Sequence, residues 1–329
     1  MVKIGRKTAY IIAALLPALI FTSCTSGGKP SVPTSPGSNV NVITTTDSGV
    51  PVSTGTKGSR SNEIHVLKPT ADGVLVKENS VAIVDYSNNS EGYICVKYTG
   101  TSQKVKLRIT GPDEVQYTYD ISIGDYSSFP LTGGNGIYNV GIYENIQDTE
   151  YSTAFYDTIE VAIADELKPY LYPNHYVYFD ENSTCVSYGA TLVESADSDL
   201  DAVSLVYNYI IQNITYDYAK AESPPTGYVS DVDETLATGQ GICLDYAAVM
   251  VCMLRSQGIP TRLEVGYASD AYHAWLSVYI EDRGWINGVV EFTGNEWTLV
   301  DPTFGANTDE GTLKKFIGDG TNYVLQKIY

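Results

Sequence analysis

The stretch GQGICLDYAAVMVCML, residues 239–254, contains two cysteines in very different settings. A Gly-Gln-Gly turn precedes Cys243, and the apolar run that follows predicts a helix from about residue 244 to residue 257. Gly258 and Pro260 come just after it, as such residues commonly do beyond the C-terminus of a helix. Because this helix is apolar on all sides, we expect it to be the central helix of its domain.

Cys243 lies at the predicted N-terminus of this helix. The unsatisfied N–H groups and the positive end of the helix dipole favour the thiolate there, and the thiolate is the attacking form of a cysteine. Cys252 lies inside the apolar helix and is predicted to be a packing residue. Cys243 is therefore the candidate nucleophile.

A nucleophilic thiol requires a base and a group that orients the base. YHAW, residues 272–275, begins a predicted strand near His273, and WTLVDPTF, residues 297–304, ends one near Asp301. Taken alone, a histidine is usually a structural residue and an Asp before Pro usually forms a turn. Their order after Cys243 favours a shared cleft instead.

These motifs resemble the transglutaminase-like superfamily, which has a papain-like α+β fold and a Cys-His-Asp triad. The resemblance rests on GQGICLDYA, LRSQGIPTRLEVGY, YHAW and WTLVDPTF, which span about residues 239–304. It implies Cys243 as the nucleophile, His273 as the general base and acid, and Asp301 as the group that orients the imidazole. The match lacks the calcium sites and extra β-barrels of the animal transglutaminases.

The resemblance implies acyl transfer at amide bonds of a protein or peptide substrate, through a thioester on the cysteine. Hydrolysis of peptide or isopeptide bonds is the favoured outcome. Two alternatives are transamidation, which would join Gln to Lys, and a non-catalytic binding lipoprotein on the same fold. The chain has three histidines, and its cysteines show no Cys-x-x-Cys spacing, so we expect neither a metal nor another cofactor.

The strands that carry His273 and Asp301 must be arranged so that the two side chains can meet. In a plain three-strand meander, the two residues would lie at opposite ends of the sheet. We therefore predict that the strand beginning at His273 pairs directly and antiparallel with the strand ending at Asp301. Residues 285–292 would then form an excursion from that hairpin.

The N-terminus, MVKIGRKTAYIIAALLPALIFTSC, resembles a bacterial lipoprotein signal. It has basic residues, an apolar stretch and small residues before Cys24, which predicts a signal peptide over residues 1–23 and a lipid on Cys24. The protein would then be extracytoplasmic and anchored to the bacterial cell membrane. An ordinary secretory signal or an uncleaved anchor helix is the alternative. Residues 24–61, rich in Ser, Thr, Gly and Pro, predict a disordered tether.

Residues 62–165 alternate between apolar and polar residues in several short runs. In QKVKLRIT, for example, Val105, Leu107 and Ile109 share one face. Six or seven such strands predict an immunoglobulin-like β-sandwich over residues 62–165. Residues 166–329 are predicted to form the transglutaminase-like α+β domain.

The net charge limits the partners. The chain has a formal charge of −19, and residues 1–23 contain three basic and no acidic residues, so the processed chain would carry −22. Such a surface repels polyanions, which argues against nucleic acid as a partner. The sequence leaves the oligomeric state open.

Overall fold

The computed structural model describes residues 44–45, 51–52, 56–268, 271–287, 290–292, 297–299 and 323–329. The predicted signal segment, Cys24 and Asp301 therefore lie outside the described residues. Within the described ranges, no helix combines the length and the apolar character needed to cross a membrane.

The N-terminal strands are β1 (Thr44–Thr45), β2 (Pro51–Val52), β3 (Val76–Glu78), β4 (Ala82–Asp85), β5 (Tyr93–Tyr98), β6 (Val105–Thr110), β7 (Gln116–Ile121), β8 (Ser127–Pro130), β9 (Gly136–Gln147) and β10 (Glu150–Val161). The C-terminal strands are β11 (Thr215–Tyr216), β12 (Gln240–Gly241), β13 (Thr261–Ala268), β14 (Ala271–Ile280), β15 (Gly284–Asn287), β16 (Val290–Phe292), β17 (Trp297–Leu299) and β18 (Tyr323–Ile328). The α-helices are α1 (Thr184–Leu192), α2 (Asp199–Asn213), α3 (Tyr218–Glu222), α4 (Val232–Thr238) and α5 (Cys243–Arg255), and short 3-10 helices cover Asn89–Glu91 and Lys168–Tyr170.

Strands β3 to β10 form two antiparallel four-stranded sheets, in the orders β3-β4-β5-β8 and β10-β9-β6-β7. In β6, Val105, Leu107 and Ile109 are buried, while Arg108 on the opposite face is exposed. This alternation is the one that the sequence predicts for a strand with one face in the core. The buried faces of both sheets contribute to one hydrophobic core.

The last residues of the predicted tether are described, and they contact the C-terminal half of the chain. The Arg60 guanidinium forms an ion pair with Asp199, with 2.6 Å between Nε and Oδ1. Its Nη2 donates to the carbonyl oxygen of Gln257 at 2.8 Å. Arg60 lies within the range 24–61 that the sequence predicts to be a disordered tether. Its guanidinium nonetheless has defined partners, the Asp199 carboxylate and the Gln257 carbonyl oxygen.

The C-terminal half is built around α5. Every residue from Asp245 to Arg255 is buried, and the helix packs against β13, β14, α1, α2 and α4. The expectation of a central apolar helix is thus confirmed. Together with the strand order β15-β14-β13-β18, this makes the chain a mixed α and β protein with a central helix packed against an antiparallel sheet.

Strand β14 pairs with β13 from Ala271 to Val278 and with β15 from Ser277 to Ile280. Trp285 of β15 lies opposite Tyr279, so the prediction that residues 285–292 form an excursion is wrong at its start. The reason is local, since a short turn after Ile280 returns the chain directly into a hairpin. The predicted pairing at Asp301 lies outside the described residues.

Candidate active site

The turn before Cys243 is held by backbone pairing. Gly239 adopts a left-handed conformation with φ of 60°, which ends α4 and which glycine adopts without steric cost. Strand β12 then pairs in parallel with β11, so that Gly241 lies opposite Tyr216. The chain turns at Ile242, the N-cap residue, and Cys243 is the first residue of α5. Cys243 is thereby presented at the end of a buried helix.

His273 lies on β14, near the beginning of the strand. It is 7% exposed, and it pairs with Gly266 of β13 in the antiparallel register. The imidazole lies nearly parallel to the indole of Trp275, with 6.3 Å between the ring centroids. The imidazole is therefore held among packed groups on a central strand of the sheet.

Cys243 and His273 line the same cavity, which has a volume of about 340 Å³. The structure therefore brings together two of the three predicted site residues, while Asp301 lies outside the described residues. The other described lining residues are Tyr176, Tyr216, Ala221, Pro224, Pro225, Gly227, Tyr228, Ile242, Leu244, Val265, Tyr272, Ala274 and Tyr329. Most of them are aromatic or apolar, so the cavity offers a largely apolar surface beside the thiol.

Tyr272, which is 60% exposed, is one of the residues that line this cavity. Burial raises the pKa of Tyr272 above its ordinary value, and the neighbouring Tyr176, Tyr267 and Cys243 raise it further. The hydroxyl is therefore protonated near neutral pH and can donate a hydrogen bond to a bound group.

A buried carboxylate lies directly behind the turn. Asp245 is 0% exposed, and its Oδ2 accepts the amide hydrogen of Ile242 at 2.8 Å, an arrangement that caps the helix N-terminus. The hydroxyl of Tyr228 donates to Oδ1 at 2.6 Å, and Nζ of Lys220 donates to Oδ2 at 2.9 Å. None of these three residues is predicted from the sequence to belong to the site. Ile242 is not among the residues that usually begin a helix, so the local sequence did not mark Asp245 as a capping residue.

The remaining cysteines differ from Cys243 in exposure. Among the described residues, all four cysteines are free, and Cys95, Cys185 and Cys252 are buried. Burial, with smaller contributions from nearby Asp85 and Asp72, raises the pKa of Cys95 to about 12. Burial also raises the pKa of Cys252 well above its ordinary value, with a contribution from Cys185. These thiols are protonated near neutral pH, which agrees with the predicted packing role of Cys252.

Comparisons with known proteins cover the same region. The chain is 30% identical over 115 residues to uncharacterized protein YebA of Bacillus subtilis (strain 168), covering 29% of this chain and 16% of that protein. It is 28% identical over 137 residues to the kyphoscoliosis peptidase of Mus musculus, covering 38% of this chain and 19% of that protein. The chain thus matches less than a fifth of the length of either relative.

Among solved structures, the periplasmic domain of TgpA from Pseudomonas aeruginosa aligns with a TM-score of 0.33 and 15% identity, covering 73% of this chain and 78% of that one. Residues 186–288 match the family described as the transglutaminase-like superfamily. This match includes Cys243 and His273 and ends before Asp301. The match of residues 186–288 to this family agrees with the resemblance that is based on the motifs around Cys243 and His273.

Proposed function

We propose that the protein catalyses cysteine-dependent acyl transfer at amide bonds of a protein or peptide, and that the usual acceptor is water. The observation that carries this proposal is the shared cavity of Cys243 and His273. A thiol at a helix N-terminus and an imidazole in one cleft form the nucleophile and base of a cysteine hydrolase. Asp301 is proposed as the residue that orients the imidazole.

In the proposed reaction, His273 accepts the thiol proton and the Cys243 sulfur attacks the amide carbonyl carbon. The backbone N–H of Cys243 is the first of its helix and has no intrahelical acceptor, so it can donate to the developing oxyanion. His273 then protonates the leaving amine, and a thioester remains on Cys243. Water, deprotonated by the same imidazole, attacks the thioester and releases the acid and the free thiol.

The test is to incubate the full chain with a mixed library of peptides and isopeptide-linked peptides and to follow the products by mass spectrometry. We expect acids and free amines from wild type and no turnover by Cys243→Ala. Cys252→Ala is the matched control, because it removes a buried thiol outside the cavity, and it should keep its activity. Turnover by Cys243→Ala would contradict the proposal.

The same experiment with excess primary amine distinguishes the acyl acceptor. The proposal predicts that hydrolysis products exceed amine-linked products, because the incoming water needs only the base that is already present. Preferential incorporation of the amine would contradict hydrolysis and indicate that the enzyme is a transamidase. No reaction with either acceptor would favour a binding function.

We also propose that the protein is an extracytoplasmic lipoprotein with a lipid on Cys24, which the sequence pattern of residues 1–24 supports. In a bacterial host, metabolic labelling with a radioactive fatty acid should mark the wild-type chain and leave Cys24→Ala unlabelled. Labelling of both wild type and Cys24→Ala would show that the lipid is attached to a residue other than Cys24.

The two N-terminal sheets are proposed to form an immunoglobulin-like sandwich. The supporting feature is the path of the chain, which leaves the first sheet after β5, forms β6 and β7 in the second sheet, returns for β8 and ends with β9 and β10. Such a crossing between two antiparallel sheets is typical of Greek-key sandwiches.

A further inference from the structure

Asp245 brings a buried carboxylate close to the candidate nucleophile. Its contact with the Ile242 amide at 2.8 Å places it beside the backbone that leads into Cys243. A lone carboxylate at this position would oppose formation of the Cys243 thiolate, because two negative charges in a site with little water repel each other. A cation beside Asp245 would offset this repulsion and favour the thiolate.

Lys220 is placed to be this cation. Its Nζ lies 2.9 Å from Oδ2 of Asp245 and also contacts the hydroxyl of Tyr228. Burial lowers the pKa of Lys220, but the hydrogen bonds with Tyr228 and Asp245 outweigh this effect and raise the pKa overall. The ammonium group is therefore charged near neutral pH, and the buried carboxylate has an opposite charge as well as hydrogen-bond donors.

Tyr228 completes the cluster without changing its charge. Its hydroxyl donates to Oδ1 of Asp245 at 2.6 Å. Burial, together with the hydrogen bond to Asp245, raises the pKa of Tyr228 to about 12, so the hydroxyl stays protonated near neutral pH. The three side chains together carry one positive and one negative charge, and their net charge is zero.

We propose that Lys220 and Asp245 form a charge-balanced positioning pair: Asp245 caps the helix that carries Cys243, and Lys220 cancels the effect of its charge on the thiolate. The inference rests on the proposed role of Cys243 as the nucleophile. Because the pair acts through charge, removing the cation and removing the anion should change the reactivity of Cys243 in opposite directions.

The test measures the rate of iodoacetamide labelling of Cys243 in the full chain between about pH 5.5 and about pH 9.5, with the labelled residue identified by peptide mapping. Lys220→Met should slow labelling roughly tenfold at about pH 6.5 and leave it unchanged at about pH 9.5, where thiols are mostly ionised. Lys220→Arg should restore the wild-type rate. Asp245→Asn, which retains an acceptor for the Ile242 amide, should accelerate labelling at the lower pH.

Tyr228→Phe is the matched control, since it removes a hydrogen bond from the same carboxylate and no charge. Its labelling rate should stay within about twofold of wild type. A Lys220→Met variant that labels at the wild-type rate, or more slowly by the same factor at every pH, would overturn the proposal. The proposal would also be overturned if Lys220→Met and Asp245→Asn both slowed labelling or both accelerated it.

Labelling reports on the thiol and requires no substrate. If labelling follows the predicted pattern but the protein turns over no peptide, the proposed function is rejected and the charge pair stands. If peptide turnover depends on Cys243 but the labelling rate is the same with and without Lys220, the charge pair is rejected and the proposed function stands.

Discussion

Gly241 and Asp245 approach each other so closely that a Cβ added at Gly241 would lie 2.5 Å from the Cβ of Asp245. That distance is well below a normal carbon contact, and the Cβ of Asp245 cannot move without moving α5. The glycine thus allows the turn to pass directly over the carboxylate that caps the helix of Cys243.

Gly241→Ala should therefore displace the turn and the candidate nucleophile together. We expect a loss of about 1–3 kcal/mol in the free energy of unfolding, as is usual for overpacking, and at least a tenfold loss of turnover. Chemical denaturation and peptide hydrolysis measure the two effects. Gln240→Ala, at the exposed neighbouring position, should change neither by a comparable amount. A Gly241→Ala variant as stable and as active as wild type would contradict the close packing of the turn.

The hydroxyl of Tyr119 gives a different prediction. This residue is 1% exposed, and its hydroxyl has no hydrogen-bond partner among the described residues. Because a buried hydroxyl without a partner is costly, Tyr119→Phe should leave the free energy of unfolding unchanged or increase it by up to about 1 kcal/mol.

Tyr117 is the matched control for this substitution. Its hydroxyl accepts hydrogen bonds from Oγ1 of Thr132 at 2.9 Å and from the amide of Ile328 at 3.3 Å. Tyr117→Phe should therefore lower the free energy of unfolding by about 1 kcal/mol. Denaturation of both variants under identical conditions makes the comparison. A larger loss of unfolding free energy for Tyr119→Phe than for Tyr117→Phe would contradict the finding that only the Tyr117 hydroxyl of this pair has hydrogen-bond partners.

His175 should make stability depend on pH. Its ring stacks on Phe129, with 5.3 Å between centroids, and meets Tyr119 edge to face at 5.7 Å. Burial lowers the pKa of His175 below its ordinary value, and Asp120 opposes this only in part. The unfolded chain thus takes up the proton more readily than the folded chain, so this residue costs stability as the pH falls below about 6.5.

The measurement is the free energy of unfolding of wild type and His175→Gln at about pH 7 and about pH 5. The wild type should lose more stability on acidification than the variant, because only the wild type must keep the His175 imidazole neutral. Carboxylates titrate in both proteins and cancel in the comparison. Equal losses would show that the folded and unfolded chains bind the His175 proton equally well.

The sequence predicted the elements that have strong periodicity. The apolar run after Cys243 indicated the position of α5, and the alternating run that contains Val105, Leu107 and Ile109 indicated β6. By contrast, α1, Thr184–Leu192, has the sequence TCVSYGATL, in which β-branched residues and glycine weaken any helical signal. It is helical because its buried face packs against α5.

The candidate site was predictable in part for a similar reason. Cys243 and His273 lie in local motifs that can be read from neighbouring residues. Lys220 and Tyr228 become relevant only when the fold brings them to Asp245, which lies 25 and 17 positions away in the chain. No local spacing encodes such a contact, because each of these residues alone is compatible with an ordinary surface position.

Cys243 and His273 are proposed to act together as nucleophile and base. The most direct measurement is the rate of iodoacetamide labelling of Cys243 in wild type and in His273→Ala at about pH 6, with peptide mapping of the labelled residue. We expect labelling at Cys243 in wild type, unlabelled Cys252, and at least a tenfold slower rate without the imidazole, because an imidazolium stabilises the thiolate. Equal rates in the two proteins, or labelling that avoids Cys243, would contradict this proposal.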